Sequence, residues 1–475
     1  MKTTAKKVFL AILGTSVLSM SGCETLTSDK DVNPNLAQDA PVEQILTAAQ
    51  VSQGFVYSGE LPRLAGIWVD YFTGYDRQYA GYNSYTVSAQ DFDNAWANIY
   101  QTTAVQLRIV QQKAADNGNF QLQGIAQVME ANMFGTTTAL WGDIPYNEAF
   151  RVTNVSDPRN PAFDQQSSVY NQVQAKLDEA IVNLGRAGVS PRGRDIYYGG
   201  SASKWIKAAH TLKARYYLHT KQYAQAAAQA SQGLSNSSDD MLMPYDGTAV
   251  AGNQNPYYDF IENTRSFYMI ALDTYAVSLL NGVRSNDKTN ETGRLSYFYT
   301  DQGDYGSSAN GLDPNYIDGA FAADADAPLL TYVENQLILA ESQARTGNNA
   351  LALAALNSVR EENDAKFSEI DASSKYSIYV LSDFAPGGIA NNGASSINDA
   401  LIREILVEKY LSLLGQIESF NDVRRTNNLI GVPKKNDNAP NLPQRFLIPQ
   451  SEVNTNVNAP RQAPSALYEK TAVNR

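Results

Sequence analysis

Cys23 is the only cysteine among the 475 residues, and its position restricts the chemistry that it can do. The segment before it contains three lysines and then the apolar stretch VFLAILGTSVLSM (8–20). That stretch is too short for a membrane span and is typical of a secretory leader. Small residues directly before a lone cysteine are typical of a bacterial lipoprotein processing site. We therefore predict that 1–22 is a signal peptide and that Cys23 carries lipid, rather than an ordinary leader that happens to contain a cysteine.

The other residue types that catalyse reactions form no recognisable catalytic pattern. His210 and His219 lie on one predicted helix, and a spacing of about two and a half turns places them on opposite faces, so they cannot share a metal ion. No HExxH, Walker, GxSxG or dinucleotide-binding motif is present. Glycoside hydrolysis needs two carboxylates across the scissile bond. Asp143 and Glu148 are conspicuous, but 49 acidic residues give no basis for choosing a pair. We predict a protein that is not an enzyme and keep a surface hydrolase as an alternative.

Metal ions and nucleic acid are not predicted partners. The segments SNDKTNETG (285–293) and DADA (324–327) have closely spaced oxygen ligands, but neither fits an EF-hand loop. Structural calcium is therefore only an alternative, and no cofactor or metal site is predicted. The formal charge is −12 and there is no run of Lys and Arg, so a polyanion is disfavoured.

Aromatic side chains make binding better supported than catalysis. They cluster in two stretches rich in Gly, Asp and Asn, and flat rings beside hydrogen-bonding groups suit the apolar faces and hydroxyl edges of sugars. The candidate glycan-binding residues are Tyr75, Arg77, Tyr79, Tyr82, Tyr85, Tyr297, Tyr299, Tyr305 and Tyr316. Core packing is the competing interpretation of each ring. Helical spacing favours packing for five others: Trp68, Tyr71, Phe72, Trp96 and Tyr100.

Helical periodicity dominates the chain after residue 40, so the predicted fold class is mostly α. Residues 23–40 are polar and are interpreted as a tether, and 41–475 as a single domain. Helices are predicted at 44–56, 91–115, 122–140, 168–184, 203–220, 223–234, 398–414 and 417–426. Long irregular segments are predicted at 57–90, 236–266, 281–328 and 363–397, and loops of this length in a compact protein are usually functional.

Two segments, 212–234 and 337–359, share a pattern of a helix, a short turn and a second helix. Ala214 matches Ala340, and Ala224 matches Ala350, with alanine expected where two helices approach closely. Stacked helix pairs that share a continuous core are typical of tetratricopeptide repeats. We therefore predict tetratricopeptide-like helix pairs as a scaffold that displays the long loops.

The segment LWGDIPYNEAF, which begins at Leu140, looks at first like an active-site loop. Pro145 cannot continue the helix that ends near Leu140, and it restricts Ile144 to extended geometry. Gly142 and Asp143 suit the turn before it. We predict an architectural corner whose Trp and Tyr side chains pack on the helices.

The order of several motifs resembles the SusD/RagB-like outer-membrane lipoproteins that partner TonB-dependent transporters. The motifs are DVNPN after the lipoprotein cysteine, DFDNAWANIY, LWGDIPYNEAF, RLSYFY, PLLTYVENQLILAESQARTG, LIREILVEKYLSLLGQIESFNDVRRTNN and RFLIPQSEVNTNVNAP. They span most of the chain. The Asp-Pro-Arg that is often seen in the middle region of the family appears here as DKTNETGR.

The resemblance implies a protein that is lipid-anchored at the outer membrane and faces outwards. It implies non-catalytic capture of oligosaccharides or polysaccharides, which are delivered to a SusC-like TonB-dependent transporter. The helix pairs would form the scaffold, and the irregular loops the ligand side. Capture of peptides or another nutrient is the alternative within the same family.

We predict that Cys23→Ala abolishes fractionation of the protein with membranes, because acyl chains on that cysteine would be its anchor. Cell fractionation of the wild type and the variant measures this. A variant that still pelleted with membranes, with no protein partner holding it there, would contradict the lipoprotein interpretation.

Overall fold

The apolar periodicity forms helices in the computed structural model, which describes residues 40–150, 160–249, 252–301 and 311–475. Cys23, the leader and the tether lie outside these ranges. In the first half of the chain the helices are α1 Val42–Ser58, α2 Glu60–Trp68, α3 Arg77–Asn83, α4 Asp93–Ala97, α5 Val105–Asp116, α6 Phe120–Trp141, α7 Gln166–Leu184, α8 Ala202–His219 and α9 Tyr223–Ala230. In the second half they are α10 Pro256–Tyr258, α11 Tyr275–Ser278, α12 Thr292–Phe298, α13 Tyr332–Arg345, α14 Asn349–Ser368, α15 Ile397–Ser412, α16 Glu418–Arg425 and α17 Gln450–Thr455.

The predicted mostly α fold class is confirmed. The long helices begin and end within a few residues of their predicted bounds, and α4 continues through a π-helical turn, Asn98–Ala104, into α5. The expectation of irregular structure is wrong in three segments, because α2 and α3 lie inside 57–90, α10 lies inside 236–266 and α12 lies inside 281–328. In the part of the chain that the structure describes, no helix combines the length and apolar character that a membrane span requires.

Three antiparallel helix pairs, α8/α9, α13/α14 and α15/α16, build the scaffold. They stack as expected for tetratricopeptide-like units, and Ala214 and Ala340 are fully buried. The expected contact through Ala224 and Ala350 is wrong, since both are exposed. Ala226 and its equivalent Ala352, two residues further along each helix, are buried at the close approach instead.

Short strands connect the irregular segments. They are β1 Thr73–Gly74, β2 Met241–Met243, β3 Met269–Leu272, β4 Thr289–Asn290, β5 Tyr299–Thr300, β6 Gly311–Pro314, β7 Ala327–Leu330 and β8 Lys375–Tyr376. One antiparallel sheet has the order β1-β3-β6-β5, and β2/β7 and β4/β8 form separate antiparallel pairs. Apart from β5/β6, these pairings join segments that are far apart in the sequence.

The LWGDIPYNEAF segment is an architectural corner, as predicted. Gly142 ends α6 with a φ of 87°, and Ile144 is extended and bridges Asp164. The buried indole of Trp141 donates from Nε1 to the carbonyl of Leu447 at 2.8 Å. Tyr146 is also buried and donates to Glu130 at 3.0 Å.

Buried ion pairs connect the loops to the scaffold. Arg284, which follows α11, pairs with Glu408 and, at 2.5 Å, with Glu404, both on α15. Arg294 of α12 donates to Glu408 at 2.6 Å, and Glu291 pairs with Arg284. All five side chains are almost fully buried. The segment 281–298, which includes β4 and α12, is therefore held to the scaffold by buried ion pairs.

A second group of buried ion pairs lies within the scaffold itself. Arg215 of α8 forms a bidentate contact with Glu334 of α13 at 2.6 Å. Burial raises the pKa of Glu341, but the charges of Arg425 and Arg345 outweigh burial and lower that pKa to about 2. Successive helix pairs are therefore joined by charges as well as by apolar contacts.

We predict that Glu408→Gln lowers the free energy of unfolding by about 3–5 kcal/mol, because it leaves two buried guanidinium groups without their shared carboxylate. Glu361→Gln, an exposed substitution on α14, is the matched control and should change it by less than about 0.5 kcal/mol. Denaturant unfolding followed by circular dichroism measures both. Equal effects of the two substitutions would contradict the role of the ion pairs.

Candidate functional site

The four-stranded sheet brings the two aromatic stretches of the sequence together. Gly74 of β1 lies opposite Met269 of β3, and the ladder continues to Tyr75, whose N–H donates to the carbonyl of Tyr268 at 2.8 Å. β6 runs antiparallel to β3, with Leu312 opposite Ala271, so the residues after Pro314 emerge at the same end of the sheet. The residues that follow β1, from Tyr75 onward, and those that follow β6, including Tyr316, therefore lie at the same end of this sheet.

Aromatic rings at this end of the sheet are open to solvent. Tyr75 is 51% exposed and Phe267 is 55% exposed, which is unusual for rings of their size. Tyr268, Tyr258 and Tyr316 are half-buried beside them. We call this the sheet-end aromatic surface, which comprises Tyr75, Arg77, Tyr258, Arg265, Phe267, Tyr268 and Tyr316.

Polar groups surround these rings. The guanidinium groups of Arg77 and Arg265 lie 5.9 Å and 5.7 Å from the centre of the Tyr268 ring, within the range of a cation–π contact. Tyr258 and Tyr316 have ring centres 6.3 Å apart with planes at 61°. The pKa of Tyr316 is raised by burial and then by the adjacent Glu262 carboxylate, so its hydroxyl stays protonated at neutral pH. The surface thus offers both ring faces and hydrogen-bonding groups.

Backbone strain concentrates in the same loops. Phe267 has a φ of 64° and Arg77 a φ of 46°, in the left-handed region that side chains other than glycine rarely adopt. Asp70, Tyr85 and Asp273, in neighbouring turns, also have positive φ values. Residues held in such conformations cost free energy and cluster at ligand sites. The left-handed backbone of Phe267 thus occurs within the surface that carries the exposed rings.

Four of the predicted residues are buried, so core packing, the competing interpretation, describes their place in the structure. Each ring belongs to the core and its hydroxyl has a partner within the protein. The hydroxyl contacts are Tyr79 with Arg63 at 3.2 Å, Tyr82 with Asp91 at 2.7 Å, Tyr85 with the N–H of Lys435 at 2.8 Å and Tyr299 with the carbonyl of Tyr71 at 3.0 Å. The turn of α3 directs Tyr79 and Tyr82 inward together, because they are three residues apart. Burial raises the pKa of Tyr85 to about 12.

The remaining predicted residues lie in three places. Tyr75, Arg77 and Tyr316 belong to the sheet-end aromatic surface. Tyr297 does not, and lines a cavity of about 590 Å³ instead, with the ammonium of Lys366 4.0 Å from its ring centre. Tyr305 lies outside the described residues. The expected core rings Trp68, Tyr71, Phe72, Trp96 and Tyr100 are all buried.

The two acidic residues singled out in the sequence and the two histidines form hydrogen bonds within the protein. Asp143 accepts from the N–H of Gln166 at 2.8 Å, at the start of α7, and Glu148 accepts from the N–H of Ala162 at 3.0 Å. His219 contacts Glu418 at 2.9 Å, whereas His210 contacts Gln229.

The two segments considered as calcium sites differ in the environment of their acidic side chains. Glu291, in the first, pairs with Arg284, and Asp324 and Asp326, in the second, are exposed. Within the described ranges, no three His, Cys, Asp or Glu side chains converge as metal ligands would.

Phe267, Tyr268, Arg265 and Tyr258 are the residues that the sequence interpretation missed. They lie in or just after the predicted loop 236–266, in the run PYYDFIENTRSFY. The aromatic density of this run is a signal, but its position beside Tyr75 depends on the β1–β3 pairing, which joins residues about two hundred positions apart.

Comparison with known proteins agrees with this architecture. The family model SusD-like, described as "starch-binding associating with outer membrane", matches residues 34–449. Among curated proteins, none matches the sequence significantly.

Several solved structures are similar in fold. A SusD/RagB family protein from Bacteroides thetaiotaomicron has 22% sequence identity and a TM-score of 0.67, over 92% of this chain and 99% of that one. A SusD homologue from Bacteroides uniformis has 20% identity and a TM-score of 0.67, over 91% and 99%. A chitin-binding SusD homologue from Flavobacterium johnsoniae has 16% identity and a TM-score of 0.63, over 87% and 94%. At these identities the similarity shows the fold.

We predict that Phe267→Gly raises the free energy of unfolding by about 1 kcal/mol relative to Phe267→Ala, because only glycine adopts the left-handed conformation without strain. The two variants lose the same ring, so the difference between them measures the backbone strain alone. Parallel denaturant titrations provide it. Equal stability of the two variants would show that Phe267 is not strained.

Proposed function

The chain belongs to the SusD-like family of carbohydrate-binding, outer-membrane-associated proteins, and from this membership we propose that it captures glycans at the cell surface through the sheet-end aromatic surface. The observation that carries the proposal is the exposure of Tyr75 and Phe267 beside Tyr268 and its two arginines. Ring faces contact the apolar C–H faces of sugars, and guanidinium and hydroxyl groups bind sugar oxygens.

The proposal includes delivery of the glycan to a SusC-like TonB-dependent transporter. In this account lipid on Cys23 anchors the protein to the outer membrane, facing outwards, and residues 23–40 form the tether to the domain. Support comes from family membership and from the leader sequence. The residues of the aromatic surface belong to segments outside the stacked helix pairs, which agrees with separate ligand and scaffold sides.

The proposed capture is non-catalytic. The two acids that the sequence made conspicuous, Asp143 and Glu148, each accept a backbone N–H bond at the corner that follows α6. The arrangement of these two groups supports an architectural role.

We predict that Tyr75→Ala and Tyr268→Ala each weaken retention of the protein by its glycan roughly tenfold, because central aromatic side chains dominate binding at such surfaces. Affinity electrophoresis against a panel of polysaccharides measures retention. Tyr223→Ala is the matched control, since Tyr223 also lies under a guanidinium group, that of Arg345 at 5.3 Å, but on scaffold helix α9. It should leave retention unchanged.

Product analysis of the same mixtures separates the alternatives. Retardation without new reducing ends supports the proposal. New reducing ends that disappear with Asp143→Asn or Glu148→Gln would replace it with hydrolysis. No retardation by any glycan, together with binding of peptides, would favour capture of another nutrient.

A further inference from the structure

The corner that follows α6 forms one wall of a cavity of about 420 Å³. The corner contributes Tyr146, Asn147 and Phe150, and α5 contributes Arg108. The opposite wall is one side of α7, which carries Gln172, Ala175, Lys176 and Glu179 at helical spacings of three and four residues. None of these residues belongs to the sheet-end aromatic surface, so the cavity is a separate place in the fold.

A buried carboxylate holds Arg108 in place. The guanidinium pairs with Glu130 of α6 at 2.7 Å, and Glu130 also accepts from Gln111 at 2.5 Å and from the Tyr146 hydroxyl at 3.0 Å. The ring centres of Tyr146 and Phe150 lie 5.6 Å and 5.4 Å from the guanidinium carbon, within the range of a cation–π contact. Glu130 is fully buried, whereas 34% of the Arg108 side chain is exposed. The guanidinium therefore borders the cavity in a fixed position, with Glu130 behind it.

The charged groups that line this cavity favour an anion. Arg108 and Lys176 are cations, and Glu179 is the one carboxylate among the described lining residues. Nη2 of Arg108 contacts Glu130, but Nη1 has no hydrogen-bond partner in the part of the chain that the structure describes. Lys176 is half-buried and has neither a hydrogen bond nor an ion pair with any described residue. A guanidinium and an ammonium with donors to spare match the oxygen atoms of a carboxylate.

The uncharged part of the lining suits a small molecule with hydroxyl groups. Asn147 donates from Nδ2 to Asp164, and Gln172 donates from Nε2 to Ser168 at 3.2 Å. The amide oxygen of each therefore remains available as an acceptor for a hydroxyl. The half-buried ring of Phe150 adds apolar surface. A cavity of about 420 Å³ has room for a ligand of one sugar ring.

We propose that this cavity is a second binding site, which takes a small polyhydroxylated carboxylate, the chemistry of a sugar acid. Arg108 and Lys176 bind the carboxylate, and the amide oxygens of Asn147 and Gln172 accept hydrogen bonds from the hydroxyl groups. Glu179 opposes the anion and thereby limits its affinity. The site does not depend on glycan capture at the aromatic surface.

Isothermal titration of the full-length protein in detergent tests the ligand class with two matched pairs, glucuronate with glucose and galacturonate with galactose, and with lactate. We expect at least one sugar acid to bind, and its neutral partner to bind at least tenfold more weakly, because the partner lacks only the charge-assisted hydrogen bonds. Lactate, which has the carboxylate without the ring, should also bind at least tenfold more weakly. Equal binding within both pairs, lactate binding as tight as that of the sugar acids, or no binding of either acid would overturn the proposal.

Two charge variants on α7 should change the affinity for the sugar acid in opposite directions. Lys176→Gln removes a cation and should weaken binding roughly tenfold, whereas Glu179→Gln removes the opposing carboxylate and should strengthen it about threefold or more. A folding defect would weaken binding in both variants, so the opposite signs identify the role of charge. Lys366→Gln, which changes the cavity beside Tyr297, is the control. Unchanged affinity in both α7 variants would overturn the proposal.

A steric variant assigns the binding to this cavity without any change of charge. Ala175 lines the cavity from an exposed position on α7, so Ala175→Leu fills space there and leaves the core intact. It should weaken the sugar acid at least tenfold. Ala365→Leu, at an exposed position on α14, is the matched control and should bind as the wild type does. Wild-type affinity in Ala175→Leu would contradict the assignment.

Failure of this proposal can be distinguished from failure of the proposed function. Tyr268→Ala changes the aromatic surface only, so binding of the sugar acid should persist in it at wild-type affinity. Retention by polysaccharides should likewise persist in Ala175→Leu.

Discussion

The buried pairing of Arg284 and Arg294 with the carboxylates of α15 is the constraint on which the arrangement of this protein depends. Moving single charges into a protein interior costs several kcal/mol each, and pairing with opposite charges offsets part of that cost. Arg284 and Arg294 depend on Glu404 and Glu408 for this compensation. Packing of the segment 281–298 therefore depends on its contacts with α15.

That pairing also positions the sheet that carries the aromatic surface and one wall of the cavity beside Tyr297. α12 carries Arg294 and leads directly into β5, which pairs with β6 at one edge of the four-stranded sheet. β6 in turn pairs with β3, whose first residues follow Phe267 and Tyr268. Arg294 also lies beside the cavity that Tyr297 lines. One ionic cluster thus positions the sheet that bears the aromatic rings and one wall of the cavity.

The sequence predicted the scaffold better than the sites, for physical reasons. Helical periodicity is local, so α6, α8 and α14 could be located from apolar spacing, and Pro145 marked the corner after α6. Tyr79 and Tyr82 were named as glycan-binding candidates in a segment expected to be irregular, whereas α3 forms there and turns both rings inward. The same aromatic residue types pack in cores and bind ligands, so residue type alone does not distinguish the two roles.

Long-range pairing explains what was missed. Tyr268 becomes a ligand-site candidate only when β3 lies beside β1, and the cavity beside Tyr297 exists only where the ends of α1, α14 and α15 meet. The residue spacing within one segment predicts neither the pairing of β1 with β3 nor the contact between these helix ends. The left-handed backbone of Phe267 also cannot be read from the sequence.

The central claim is that the sheet-end aromatic surface holds the glycan, and a crystal structure with a retained oligosaccharide tests it most directly. The account predicts sugar rings against Tyr75, Phe267 and Tyr268, with hydroxyl oxygens bonded to Arg77 or Arg265. An oligosaccharide bound on the stacked helix pairs, with this surface bare, would contradict the account.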